Sequence, residues 1–413
     1  MPQYFFILGR EPQLSVAEAW QVLNSKFKGI ISLALDKSFW IIESTLELPL
    51  ETLQQTLGGI IKSGEIMGQV INQQQEIQEK IKQLIKPSQR LYFGFSWYPP
   101  SSTTADYGGQ DDSQIPHWLK AFGLEIKKEF KEQGRVRFVV SREKQLSSVT
   151  VQKNHLLPSA GFELVFLPAA DRVFIGRTII VQPFAEYSQR DYARPGREAR
   201  LGMLPPKLAR MMINLAGGSS ISTLLDPFCG SGTIFQEAAL LGIKQLWGSD
   251  SSIESVKRSH VNWQWLKTRQ PSITAELKLL VSNIEQLENA VNNRKFQAIV
   301  CEPFLGPPFS GKENSRQLET IHRSLNQDYS CWLIHLSNLL APQGRLVMVW
   351  PVLVYRSEFK FLSLDQALAS AGLKFANILP PVMPQSWLTK RGTLLYYRPG
   401  QKVAREIVAL EKP

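Results

Sequence analysis

Leu224-Leu225-Asp226-Pro227-Phe228-Cys229-Gly230-Ser231-Gly232-Thr233 is the stretch that decides the fold of this 413-residue chain. An apolar run ends at an acidic residue, a tight glycine turn follows, and Ile234 to Leu241 then has a helical pattern. Gly230 and Gly232 lack a Cβ atom, so the backbone can bend sharply and a ligand can lie against the turn. The stretch predicts a strand, a ligand-binding turn and a helix; a plain strand-to-helix turn is the alternative.

The residues beyond this turn predict a parallel, doubly wound α/β sheet. Strand patterns alternate with helix patterns, and the strands are expected at Gln245 to Asp250, Leu277 to Ser282, Phe296 to Pro303 and Gly344 to Pro351. Before Pro183, shorter strands and helices alternate as in small α+β modules. At about 100–200 residues per domain, the length allows two or three domains.

The glycine turn and the ends of the next strands predict a site for a nucleoside cofactor. Free N–H groups at the start of the helix suit a carboxylate, such as that of the methionine part of S-adenosylmethionine. Phe235 breaks the dinucleotide pattern Gly-x-Gly-x-x-Gly, which argues against a pyrophosphate ligand. Asp250 can bind the ribose hydroxyls or cap the helix from Ser252, and Asn283 can contact adenine or form a simple turn. The expected cofactor-binding residues are Asp226, Phe228, Gly230, Gly232, Thr233, Asp250 and Asn283.

A second motif, Glu302-Pro303-Phe304-Leu305-Gly306-Pro307-Pro308, ends the fourth expected strand of the sheet. An exocyclic amine of a base is a poor nucleophile, because its lone pair is delocalised into the ring. A carboxylate and a prolyl-fixed carbonyl aimed at the amine would stabilise its developing positive charge and help remove the proton. The motif therefore predicts Glu302, Pro303 and Phe304 as catalytic residues, and the alternative is a strand-ending turn with a solvated Glu302.

The positive charge of the chain lies mainly in its second part. Residues 1–185 carry 20 basic and 18 acidic side chains (+2), whereas residues 186–413 carry 27 and 18 (+9). Lys and Arg that displace counterions from phosphates supply much of the affinity for nucleic acids. A solvated linker whose helix packs on the sheet is the other interpretation of the basic segment between Gln189 and Arg210. Phosphate contacts are expected from Arg190, Arg194, Arg197, Arg200 and Lys207.

Three segments together resemble the THUMP-containing tRNA guanosine-N2 methyltransferases. They are 226–233, the segment 190–195 with 202–210, and Glu-Pro-Phe-Leu-Gly at 302–306. The resemblance covers about residues 186–350 and implies S-adenosylmethionine as cofactor and the 2-amino group of a tRNA guanosine, typically at position 10, as substrate. It also implies a ferredoxin-like domain (1–75), a THUMP RNA-binding domain (76–183), a basic linker (184–210) and a Rossmann-like class I methyltransferase domain (211–413).

The second motif departs from the pattern of that family. The usual motif is Asp-Pro-Pro-Tyr, whereas this chain has Glu302 for the Asp, Phe304 for the second Pro and Leu305 for the aromatic residue. Two other functions stay open at this point. A DNA amino-methyltransferase uses the same kind of Pro motif on N6 of adenine or N4 of cytosine. A non-catalytic RNA-binding protein could have kept the fold with an altered motif.

Other sequence features limit the compartment and the partners. No uncharged apolar stretch approaches the ~20 residues that cross a bilayer, and the start does not resemble a signal peptide. The three cysteines and five histidines show no disulfide or metal-ligand spacing. We therefore expect a cytoplasmic protein with no metal and no membrane partner. A monomer is expected, although no sequence feature fixes the oligomeric state. Trp263, Trp265 and Trp332 are expected in the core rather than stacked on bases.

Overall fold

The computed structural model of the chain describes residues 1–86, 90–100, 115–141, 143–158, 161–197, 203–308, 313–356 and 358–413. These residues form two compact units. The amino-terminal unit comprises Met1–Pro12 and Lys26–Phe184, and the carboxyl-terminal unit comprises Gln13–Ser25 and Ala185–Pro413.

The first part of the chain alternates strands and helices up to the end of the eighth strand. The elements are β1 (Gln3–Leu8), α1 (Pro12–Lys26), β2 (Ile31–Leu35), β3 (Phe39–Glu43), α2 (Leu50–Thr56), β4 (Ile60–Ile71), α3 (Gln74–Leu84), β5 (Arg90–Trp97), α4 (His117–Phe130), β6 (Arg135–Val139), α5 (Ser148–Lys153), β7 (Phe162–Ala169) and β8 (Arg172–Val181). Within the described residues, the eight strands form one sheet in the order β2-β3-β1-β4-β8-β7-β5-β6.

This sheet runs across the predicted division between the ferredoxin-like and THUMP domains. Strand β4, before the expected boundary at 75/76, pairs antiparallel with β8, after it, from Lys62↔Val181 to Ile71↔Arg172. Lys62, itself buried in β4, donates to Oε1 of Glu163 in β7 at 2.5 Å. Burial of a charged pair is tolerated when its polar atoms are satisfied. Ser96 and Thr178 also donate to this carboxylate. The two predicted domains therefore share one continuous sheet and one buried ion pair.

The second part of the chain supplies the larger unit. Its elements are α6 (Phe184–Tyr192), α7 (Pro206–Leu215), β9 (Thr223–Asp226), α8 (Thr233–Leu240), β10 (Gln245–Asp250), α9 (Ile253–Arg269), β11 (Glu276–Val281), α10 (Ile284–Ala290), β12 (Phe296–Cys301), α11 (Ser315–Leu339), β13 (Leu340–Tyr355), β14 (Glu358–Lys360), α12 (Asp365–Ala371), β15 (Lys374–Phe375), β16 (Leu394–Tyr396) and β17 (Val403–Glu411). The sheet order in the described residues is β11-β10-β9-β12-β13-β17-β15.

The central strands β11, β10, β9, β12 and β13 are parallel to one another, whereas β17 is antiparallel to β13. Chain order reverses between β9 and β12, which is where ligands bind in open α/β sheets. Buried apolar clusters cover both faces of the sheet; Leu224 and Val300 belong to one, and Leu225 and Ile299 to the other. The prediction of a Rossmann-like α/β domain is confirmed.

Helix α1 belongs to the carboxyl-terminal unit, although it was predicted in a ferredoxin-like domain of residues 1–75. Leu14 and Ala17 lie in the same apolar cluster as residues of α7. Glu18 of α1 is fully buried and accepts a hydrogen bond from Nδ2 of Asn214 at 2.7 Å. The helix is therefore held by burial and by a polar contact that no local sequence pattern indicates.

The segment predicted as a basic linker (184–210) is also packed, as far as it is described. It contains α6 and the start of α7, and every residue of α7 is buried except the half-buried Lys207. Pro206 stands at the first position of α7, where its missing N–H costs nothing. The packed helix of the alternative interpretation is therefore present as α7, whereas the solvated linker of the same interpretation is replaced in its first half by α6.

Candidate active site

The glycine turn after β9 is held in a conformation that requires glycine. Gly230 and Gly232 have φ angles of +53° and +82°. A Cβ on Gly232 would lie 2.1 Å from Cζ of the buried Phe235. Position 232 must therefore be glycine for the Phe235 ring of α8 to occupy its buried position. A Cβ on Gly230 would meet no atom of the described residues within 4 Å. The turn is therefore open beside Gly230, where a ligand can approach the backbone and the start of α8.

Asp250, at the end of β10, fastens that strand to the glycine turn. Its Oδ2 accepts a hydrogen bond from the N–H of Gly230 at 3.0 Å, and its Oδ1 accepts one from the N–H of Ser252 at 2.9 Å. The cap of α9 is Ser252, whose side chain accepts from the N–H of Ser255. The alternative of Asp250 as the helix cap is therefore wrong. Each carboxylate oxygen retains a lone pair for a ribose hydroxyl.

Asn283 is exposed after β11 and caps α10 by accepting a hydrogen bond from the N–H of Gln286 at 2.9 Å. This hydrogen bond agrees with the alternative in which Asn283 has a local structural role at the turn before α10. Its side-chain NH₂ group makes no hydrogen bond to the residues that the structure describes, so contact with adenine stays a prediction.

The two sequence motifs meet at one edge of the sheet. Strands β9 and β12 are adjacent and parallel, with Ala298 opposite Leu224 and Ile299 opposite Leu225. Asp226 and Glu302 therefore leave the same edge from neighbouring strands. Burial raises the pKa of Asp226 well above its usual value, and the hydrogen bond from the N–H of Phe228 opposes the rise. The nearby carboxylates of Asp250 and Glu302 raise this pKa further.

The residues of the second motif differ in their exposure. Pro303 is buried, whereas Phe304 is 59% exposed and can offer its ring to a planar ligand. The backbone oxygen of Phe304 accepts a hydrogen bond from Oη of the buried Tyr329 at 3.2 Å, which fixes the loop to α11. Glu302 is partly buried, and its Oε1 accepts a hydrogen bond from Nε of Arg405 at 2.5 Å. The solvated Glu302 of the alternative interpretation is therefore wrong.

Aromatic rings pack against one another beside both motifs. The ring of the half-buried Phe228 lies 5.0 Å from that of Trp332, which is 4.9 Å from Tyr329. Trp263 is buried and packs edge-on against Phe235. Trp263 lies in an apolar cluster, and the half-buried Trp265 and Trp332 pack against the clusters, in line with the expected packing role.

Two arginines expected to bind phosphate are buried in ion pairs and hydrogen bonds instead. Nε of Arg190 lies 2.5 Å from Oε1 of Glu237, and Arg210 lies 2.8 Å from Oε2 of the same carboxylate. Arg194, 3% exposed, donates to Oγ1 of Thr233 at 2.6 Å. The prediction that Arg190 and Arg194 contact RNA phosphates is corrected, because neither guanidinium reaches the surface. The ion pairs of Arg190 and Arg210 with Glu237 hold α6, α7 and α8 together.

The remaining basic residues of this segment differ from these two. Arg197 is exposed, and its guanidinium lies 5.2 Å from the ring of Tyr192, which is itself 64% exposed. Lys207 is half-buried over the ring of Tyr187, and burial lowers its pKa while the charge of Glu18 raises it. Arg200 lies outside the described residues. Arg197 thus has the accessibility that a phosphate contact needs.

Comparison with known proteins places this site in a family. Residues 194–351 match the family model described as UPF0020, RMKL-like, methyltransferase domain. A probable tRNA (guanine(10)-N2)-dimethyltransferase of Methanothermococcus thermolithotrophicus is 30% identical over 27% of this chain and 68% of its own length. The chain therefore belongs to the same methyltransferase family as this relative. The tRNA (guanine(10)-N2)-dimethyltransferase of Methanocaldococcus jannaschii is also 30% identical, over 38% of this chain and 45% of its own length.

The chain matches only part of the length of its other relatives. The chain spans less than half the length of the M. jannaschii relative, and 27% of that of a relative from Methanothermobacter thermautotrophicus that is 36% identical over 23% of this chain. Among solved structures, TrmN from Thermus thermophilus superposes with a TM-score of 0.54 at 14% identity, over 100% of both chains. At this identity the match concerns the fold alone. No helix in the described part of the chain combines the length and apolar character of a membrane span.

Two residues of this methyltransferase domain escaped the sequence analysis. Asn262, fully buried in α9, accepts from the N–H of Gly196 at 2.7 Å and donates to the carbonyl of Ser231 at 2.9 Å, which ties the glycine turn to the preceding segment. Arg405 reaches Glu302 from 103 positions away in the sequence. Neither residue stands in a motif, so only the folded arrangement reveals them.

Proposed function

We propose that this protein is an S-adenosylmethionine-dependent tRNA methyltransferase that acts on the 2-amino group of a guanosine. The observation that carries the proposal is the parallel pairing of β9 with β12, which brings the glycine turn and Glu302-Pro303-Phe304 to one edge of the sheet. Position 10 of tRNA is the proposed target, since the relatives carry that position in their names.

The residues at the glycine turn fit the cofactor. The open side of Gly230 leaves room against the backbone, and Asp250 stands beside it with acceptor capacity for ribose hydroxyls. The first N–H groups of α8 suit the cofactor carboxylate. Arg194 adds a positive charge at this helix start through its hydrogen bond to Thr233. We assign cofactor binding to Asp226, Phe228, Gly230, Gly232, Thr233, Asp250 and Asn283, with Arg194 in support.

The second motif fits the amine of a base. When bound, S-adenosylmethionine supplies an electrophilic methyl group. Glu302 and the backbone carbonyl of Pro303 would accept hydrogen bonds from the amine, which orients its nitrogen lone pair and stabilises the positive charge that develops there. The exposed ring of Phe304 would stack on the base, which is worth about 1–3 kcal/mol in single-stranded recognition.

The amino-terminal unit and the surface around α6 would bind the RNA. We assign phosphate contact to Arg197, with the exposed Tyr192 beside it as a stacking surface. Lys207, half-buried, is a weaker candidate. The strand and helix content of residues 76–183 supports a THUMP domain there, and a tRNA substrate supports a cytoplasmic location.

Transfer of a labelled methyl group tests the proposal. The purified chain is incubated with labelled S-adenosylmethionine and, in parallel, with unmodified tRNA or duplex DNA. Label in tRNA alone, recovered as N2-methylguanosine or its dimethyl form, is the expected result. Label in DNA would favour an amino-methyltransferase of DNA, and intact tRNA binding without transfer would favour a non-catalytic RNA-binding protein.

A further inference from the structure

Glu302 and Arg405 meet across an intervening strand. Glu302 follows β12, Arg405 lies in β17, and β13 separates these strands in the sheet. The backbone of Arg405 pairs with Pro351 of β13. The two side chains nevertheless approach to 2.5 Å between Nε and Oε1, with only 10% of Arg405 and 12% of Glu302 exposed. The contact is therefore a specific and largely desolvated ion pair.

The length of both side chains makes this contact possible. Adjacent strands lie about 4.8 Å apart, so strands on either side of β13 are separated by about 9.6 Å. An arginine and a glutamate together can bridge that distance. An aspartate at position 302 would be shorter by one C–C bond of about 1.5 Å. The family motif has Asp at this position, whereas this chain pairs a longer acid with an arginine that reaches it.

We propose that Arg405 is a positioning residue that holds Oε1 of Glu302 and so turns Oε2 toward the amine of the base. The proposal rests on the function proposed above. Oε2 makes no hydrogen bond to any residue that the structure describes, so it is available to a ligand. Glu302 and Arg405 then form a matched pair that replaces the single Asp of the family motif.

Charge balance at the site supports the same role. Asp226, Asp250 and Glu302 place three carboxyl groups around one edge of the sheet. Burial lowers the pKa of Arg405, but the charge of Glu302 and the hydrogen bond to it raise the pKa above the usual value, so the guanidinium stays charged. This positive charge offsets the repulsion between the carboxylates of Glu302 and Asp226.

A double-mutant cycle in catalysis tests the proposal. The kcat of wild type, Arg405→Gln, Glu302→Gln and the double variant is measured on unmodified tRNA at saturating cofactor. A misplacement near 1 Å can cost about 100-fold in rate, so a loss of that order is expected for Arg405→Gln, with the KM for S-adenosylmethionine unchanged. Because Arg405 acts through Glu302, the double variant should be no slower than Glu302→Gln alone.

Two further variants separate positioning from general stabilisation. Glu302→Asp keeps the acid of the family motif but is too short for the ion pair, so its kcat should fall as far as that of Arg405→Gln. Arg391→Gln is the matched control, because Arg391 lies 3.3 Å from Glu406, the neighbour of Arg405 in β17. It should lower the melting temperature and leave kcat unchanged.

Several results would overturn the positioning role. They are wild-type kcat in Arg405→Gln, losses that add in the double variant, and full activity in Glu302→Asp. Should Arg405→Gln fold poorly, Arg405→Lys takes its place. Urea denaturation of wild type, Arg405→Gln, Glu302→Gln and the double variant tests the ion pair without any substrate. Strictly additive shifts of the denaturation midpoint would contradict an interaction between the two side chains. An active wild type with an unaffected Arg405→Gln refutes this inference alone, whereas a wild type that transfers no methyl group to tRNA refutes the proposed function as well.

Discussion

The N–H of Gly230 donates a hydrogen bond to Oδ2 of Asp250 at 3.0 Å, and this contact joins the ends of β9 and β10. The carboxylate thereby fixes the conformation of the glycine turn through a contact within the protein. A site that is already ordered binds its ligand at a lower entropic cost. The same carboxylate can accept from ribose hydroxyls, so one side chain would serve both order and recognition.

Replacement of Asp250 should weaken cofactor binding more than it weakens the fold. A hydrogen bond to a charged group is worth about 1.5–3 kcal/mol, so Asp250→Ala should raise the Kd of S-adenosylmethionine by about 10- to 150-fold. Asp250→Asn retains an acceptor for Gly230 and should lose less. Isothermal titration calorimetry with both variants gives the comparison; equal affinity in wild type and Asp250→Ala would exclude Asp250 from the cofactor site.

Alanine at Gly232 should destabilise the carboxyl-terminal unit. The left-handed conformation costs about 1–2 kcal/mol for an L-residue, and the clash with the Phe235 ring adds about 1–3 kcal/mol of overpacking. Gly242→Ala is the control, since its φ is +88° but an added Cβ meets no described atom within 4 Å. Urea denaturation should show the larger loss for Gly232→Ala, and equal losses would mean that the Phe235 contact is unimportant.

Sequence reasoning located this site through local chemistry and strand topology. The glycine turn at 230–232 and Glu302 were each recognisable from neighbouring residues, and parallel strands necessarily bring their carboxyl ends to one edge. It failed where partners come from distant elements. The number of positive charges at 190–210 does not predict that Arg190 and Arg210 form buried ion pairs with Glu237 of α8. Likewise, no spacing rule connects Arg405 with Glu302.

Arg190 and Arg197 should have opposite effects on stability and on RNA affinity. Arg190→Ala leaves part of a buried ion cluster unpaired, so the free energy of unfolding should fall by about 3–5 kcal/mol. Arg197→Ala, at an exposed site, should spare stability but lower the slope of log affinity against log salt by about 1 for tRNA. Filter binding at several salt concentrations distinguishes them. A reduced salt slope in folded Arg190→Ala would restore it as a phosphate contact.

The stability of the protein should depend on pH through Asp226. Burial raises the folded-state pKa of this carboxyl group, so its contribution to stability is fully present below the unfolded pKa of about 3.9. The contribution is lost as the pH rises through the folded pKa. Asp226→Asn stays neutral, so its advantage in the free energy of unfolding should appear above about pH 4 and grow with pH. A difference in the free energy of unfolding between Asp226→Asn and wild type that stays constant with pH would contradict a raised pKa for Asp226.

The central claim is that the glycine turn and Glu302 form one site, with the cofactor on one side and the amine on the other. Methyl transfer to unmodified tRNA by Glu302→Ala, with the cofactor Kd measured on the same preparation, tests it most directly. Loss of one stabilising group of this kind costs about 100- to 1,000-fold, so kcat should fall by that order while the Kd of S-adenosylmethionine stays at the wild-type value. Transfer by Glu302→Ala at the wild-type rate would contradict the claim.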